Sequence, residues 1–184
     1  MRKGSSNEIT TEEIADRFPT WKIVDTEHIS GGRGLYESLL SNGFQCKNIT
    51  PDHLRIRKPV GKIELVAVSL EDFGIDSRSS YYETFTDLLQ AAKVSELECV
   101  NASVGALLLL QHPDLFSTHQ EFVLSEPREH ISGDPAGDDS HFFFKVGKEK
   151  PSVFNFFRSK PYLKLSTFES KAIFAKKWIF AKKL

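Results

Sequence analysis

The sequence predicts an α+β fold: N-terminal helices with a few strands, followed by an aromatic-rich antiparallel sheet. Three observations lead there. Up to about residue 112 the apolar residues recur mainly at helical spacings, most clearly over 81–92 and 102–111. Beyond it they gather in short aromatic runs separated by Gly, Pro, Ser or Lys, the pattern of paired strands. The third is size. A chain of 184 residues, 40% hydrophobic and 27% charged, buries one core, so a single domain over 1–184 is expected, with a polar leader over 1–9.

Each element has its own reason. Thr10 and Glu13 form a capping box that opens a short helix over 10–18, and Pro19 stops it. Residues 21–25 are apolar enough for a first strand. Ser30-Gly31-Gly32-Arg33-Gly34 reads as a loop, because three glycines in four positions carry a high entropic cost inside a regular element. A helix over 35–41 follows, with Gly43 as its stop. KIELVAVS, 62–69, is a strand with Ile63, Leu65 and Ala67 on one face and Val66 and Val68 on the other. With both faces apolar, it belongs inside a sheet. Tyr81, Phe85, Leu88 and Ala92 make an amphipathic helix that Ser80 and Glu83 cap, and 102–111 is a helix apolar around most of its circumference, ended by Pro113. Strands are expected at 121–124, 141–146, 153–157, 162–165 and 178–180, with Gly147 to Lys150 closing a hairpin.

Composition narrows the function classes. The longest apolar run, 104–110, is far short of the roughly 18–20 residues a membrane-spanning helix needs. The leader has no apolar stretch of the kind a secretory signal requires. Two cysteines, Cys46 and Cys99, are too few for a disulfide framework; they read as buried thiols in a reducing, cytoplasmic setting. His130, Asp134, Asp138, Asp139 and His141 share one segment, but their spacing matches neither an EF-hand nor a zinc site, and no metal or cofactor is expected.

Charge is unevenly placed. Residues 1–144 hold 13 basic and 23 acidic side chains, whereas 145–184 hold 11 and 2, so an acidic body carries a basic end. Eleven of the 21 aromatics also lie between Phe142 and Phe180, interleaved with lysines. Cations that neutralise phosphates beside rings that stack bases are what a single-stranded nucleic acid requires. Lys164, Lys176, Lys177, Trp178, Lys182 and Lys183 are therefore the candidate anion-binding residues, with Arg33, whose glycine-rich surroundings can present backbone amides to a phosphate. The lead reading is a non-enzymatic binding module whose partner is a protein or a polyanion, nucleic acid included. Helical placement of 171–184 scatters its apolar residues, which disfavours a membrane-surface helix, whereas period two puts Trp178 and Phe180 on one face of a last strand.

The phrase EHISG occurs twice, at 27–31 and 129–133. The paired His-x-Ser, His28/Ser30 and His130/Ser132, resembles the signature of two-histidine phosphoesterases, which implies His28 and His130 as general acid and base on a phosphodiester. Where that family continues with an apolar strand residue, Gly31 and Gly133 follow here, and Asp134-Pro135 breaks the strand, so turn chemistry is the competing account. Over 42–184 the order NGFQCKNIT, KIELVAVS, TDLLQAAK, ASVGALLLLQHPDL, QEFVLSEP and KWIFAKK resembles a set of small bacterial proteins without an established activity. That resemblance implies a cytoplasmic bacterial protein and carries no catalytic residue.

Overall fold

The last apolar run of the chain forms β8 (Lys177–Lys182), and the rest of one sheet is built around it. The structure, a computed structural model, describes residues 17–27, 31–54, 61–76, 81–117, 120–126, 142–148, 160–167 and 176–183. The other strands are β1 (Lys22–Asp25), β2 (Gln45–Lys47), β3 (Lys62–Val68), β4 (Leu97–Cys99), β5 (Glu121–Leu124), β6 (Phe142–Lys148) and β7 (Pro161–Thr167). They are ordered β1-β3-β8-β5-β6-β7-β2. β4 continues the β5 side of β8: β5 pairs with its residues 177–179 and β4 with 180–182. Among the described residues three helices accompany the sheet: α1 (Gly31–Ser41), α2 (Tyr81–Val94) and α3 (Ala102–Gln111).

Period-two alternation divides the apolar residues between the two faces of the sheet. Ile63, Leu65 and Ala67 of β3, Phe122 and Leu124 of β5, and Ile179 and Ala181 of β8 join one cluster, which α1 and α3 complete through Leu35, Leu39, Leu107 and Leu108. Val66, Val68, Val123, Trp178 and Phe180 point the other way, onto Phe85, Leu88 and Ala92 of α2. Each large side chain so buried contributes roughly 1.5–3 kcal/mol. The α3 helix lies so close to the sheet that a Cβ at Gly105 would fall 2.5 Å from Leu124 Cδ1. Its start is fixed by the Asn101 side chain, which accepts from the amides of Ser103 and Val104. The expected ranges of α3, of β3 with its two faces, and of α2 are thus found, as is the Gly43 stop, where φ is +79° and the amide donates to Leu40.

Several expectations need correction. The strand order interleaves early and late strands, so β1 and β3 belong to the same sheet as the C-terminal strands and do not precede it. The sheet is mixed: β5 runs parallel to β8 and β2 parallel to β7. Gly31 to Gly34 is the first turn of α1, not a loop; a Cβ at Gly32 would lie 2.4 Å from the Pro51 carbonyl oxygen, so close packing there demands a glycine and outweighs its entropic cost. Gly147 and Lys148 lie inside β6 instead of in a turn. Cys99 is exposed and Cys46 half-buried, with burial pushing the Cys46 thiol up to about 11. The helix start at 10–16, Ser80, the strand at 153–157 and residues 149–150 lie outside the described residues.

The outer edge of the sheet at β1 is closed by side chains from the end of α3. Gln111 accepts from the Asp25 amide at 2.8 Å and donates to the Asp25 carbonyl at 2.7 Å, imitating a neighbouring strand. His112 Nε2 lies 2.6 Å from the Ile23 carbonyl oxygen, the next acceptor along. Replacing Gln111 with Ala removes two such bonds and is expected to cost about 1–2 kcal/mol. Urea denaturation reads that loss, and an unchanged midpoint would show that water replaces the amide without cost.

Candidate functional site

Strand alternation builds a polar lattice on the α2 side of the sheet, beyond the reach of the apolar cluster there. That cluster draws on β3, β5 and β8 and, among the described residues, on nothing from β6, β7 or β2. Because Phe144 and Val146 of β6 and Leu163 and Leu165 of β7 face the α1 and α3 side, Lys145 and Gly147, and Tyr162 and Lys164, face away from it. On β2, Cys46 packs with the same cluster, so Gln45 and Lys47 face the lattice.

Register converts these orientations into rows. Lys145 is opposite Lys164, and Lys164 is opposite Lys47. Three lysines therefore stand side by side on three adjacent strands, their backbones spanning about 10 Å at the usual strand separation. All three are half-buried, and the row continues through Val123 to Trp178. The neighbouring row runs from Gln45 through Tyr162 and Gly147 to Glu121. Lys176 stands beside Glu121, one residue before Lys177, the partner of Phe122.

Tyr162 is fully buried; its hydroxyl reaches across β6 at Gly147 and donates to Glu121 Oε1. The Lys176 ammonium pairs with the other oxygen of Glu121, and partial burial pulls its pKa below the ordinary lysine value. Lys47 ties the rows together by holding its ammonium 5.0 Å from the centre of the Tyr162 ring. Lys176 thus sits on the carboxylate and Lys47 over the phenol ring, with Lys145 and Lys164 in the next row along the strands.

The expected site residues are distributed unequally. Lys164 sits in the middle of the lysine row. Lys176 is committed to Glu121, and Lys182 lies 3.9 Å from Glu64, directly across the β3–β8 ladder, so part of the positive charge is met by the acidic body. Lys177 and Lys183 are exposed. Trp178 is not a surface platform: it is fully buried under α2, its ring 5.8 Å from that of Phe85. Phe144, Tyr162 and Phe180 are buried too, so the aromatic strand residues with described side chains that were expected to stack bases are not available to them. Arg33 lies on α1, against the opposite face of the sheet, and its side chain pairs with Glu37 at 3.0 Å. His28, Ser30, His130 and Ser132 lie outside the described residues, as do Asp134, Asp138, Asp139 and His141.

Lys47, Lys145, Glu121 and Tyr162 were not identified from the sequence. The alternation of FFFKVGK puts Lys145 on the face opposite Phe144 and Val146, but only the parallel β2–β7 pairing brings Lys47 alongside. Among the described residues, no group of three His, Cys, Asp or Glu is placed to hold a metal ion, and no helix is long and apolar enough to cross a membrane. No family model, curated protein or solved structure matches this chain.

Proposed function

We propose that this chain is a non-enzymatic binding module that holds a phosphate-bearing polyanion on the Lys47–Lys164–Lys145 row. One observation carries the reading: three lysines occupy directly opposed positions on one face, where like charges destabilise a sheet. A polyanion laid along the row meets the three ammonium groups at once, and a nucleic acid backbone is the natural example. Among the described side chains the C-terminal strand aromatics are buried, so what the lysine row offers a ligand is charge for its phosphates. The two thiols, unpaired with each other, support a cytoplasmic setting, and the helices and single sheet support one α+β domain.

The test is a titration of a labelled single-stranded oligonucleotide at increasing salt. Each phosphate contacted contributes a slope of about −0.7 in log K against log salt, so three contacts give roughly −2. Changing Lys47, Lys145 and Lys164 together to Gln is expected to flatten the slope by about 2 and weaken binding at low salt. Inorganic polyphosphate is expected to compete with the oligonucleotide. Absence of binding, salt-independent binding, or an unaltered slope in the triple variant would each overturn the assignment; binding of an acidic protein in place of the oligonucleotide would redirect it to a protein partner.

A further inference from the structure

Glu121 is the carboxylate of the described lattice, one row along the strands from Lys145, and both of its oxygens are engaged by groups that a phosphate oxygen would satisfy equally well. The Tyr162 hydroxyl donates to one oxygen and the Lys176 ammonium pairs with the other. The Glu121 and Lys176 side chains retain 25% and 28% of their exposure, so the pair is accessible from solvent, while the tyrosine behind it is fixed in the sheet. The lysine row is the next row along the strands, two residues or about 7 Å away.

We infer that Tyr162 and Lys176 form an anion subsite which Glu121 fills in the unliganded chain, and that a phosphate group of the polyanion takes its place. The inference rests on the polyanion reading and extends it from a row of lysines to a row with a self-occupied end. Lys176 is partly desolvated, and an anion beside it offsets that cost in either state. Glu121 supplies that anion when no ligand is present and swings outward when one arrives. The fixed phenol distinguishes this position from the lysine row, because it adds a directional donor to a point charge.

The experiment compares Glu121→Gln, Lys176→Gln and the double variant with the unmodified chain in the same oligonucleotide titration. The amide that Glu121→Gln introduces still accepts from Tyr162 but no longer neutralises Lys176. That variant is expected to bind several-fold more tightly at low salt, with a slope steeper by about 0.7. Lys176→Gln alone is expected to make the slope shallower by about 0.7, because the displaced position loses its cation, and in the double variant it is expected to cancel the gain. A slope unaltered by Glu121→Gln, together with lost binding in the triple lysine variant, would overturn the subsite and leave the lysine row standing. A full loss of slope from Lys176→Gln alone would also overturn it, since Lys176 would then be available without displacement. No binding by the unmodified chain would remove both readings.

Discussion

Trp178→Ala is expected to lower the free energy of unfolding by about 3–5 kcal/mol, the range for truncating a large buried aromatic. The indole has no exposed surface and packs among Phe85, Val66, Val68 and Val123 beneath α2. Its position leaves little room for collapse. β8 is flanked on one side by β3 and on the other by β5 and β4, so the backbone around the new cavity is held by hydrogen bonds on both sides. Urea denaturation is expected to show a lower midpoint with an unchanged slope, and thermal unfolding a midpoint lower by roughly 10 °C for a chain of this size. A destabilisation below about 1 kcal/mol, with oligonucleotide affinity reduced at the same time, would return Trp178 to the surface role that its lysine neighbours suggested.

The contrast between Trp178 and Lys164 shows which properties can be read locally. β3 and α3 were legible because their signals are self-contained: an alternation with both faces apolar, and a helix apolar around most of its circumference with a proline at its end. The direction of β8 residues could also be read, since Trp178 and Phe180 do share a face. Which face receives a helix is a property of the whole sheet, and this decides whether an aromatic-and-lysine strand offers its rings or its ammonium groups to solvent. The lysine row is more distant still. It requires β2, three residues long and too short for any periodic signal, to pair in parallel with a strand more than a hundred residues later. The glycines of α1 misled for a related reason. Their entropic cost is a local quantity, whereas the approach of the Pro51 carbonyl that requires Gly32 is not.

Gly147→Ala is expected to cost about 2–3 kcal/mol, near the upper end for an overpacked core position, although a single methyl is added on a strand. A Cβ there would lie 2.4 Å from the Gln120 carbonyl oxygen and 2.7 Å from Glu121 Cα, and both are backbone atoms of the paired strand. At Gly105 the nearest atoms are methyl groups of Leu124 and Leu163, which rotate aside more readily. At Gly147 the β5–β6 ladder itself must open, including the Lys148 amide bond to Gln120 at 2.9 Å. The same movement separates Glu121 from Tyr162, whose hydroxyl crosses β6 at this position. Stability and binding should therefore change together: a lower denaturation midpoint, and an altered oligonucleotide salt slope as the Tyr162 donor is withdrawn from the Lys176–Glu121 pair. If the midpoint falls with no change in slope, then Gly147 serves strand packing alone, and the contact between Tyr162 and Glu121 tolerates a wider spacing of its strands.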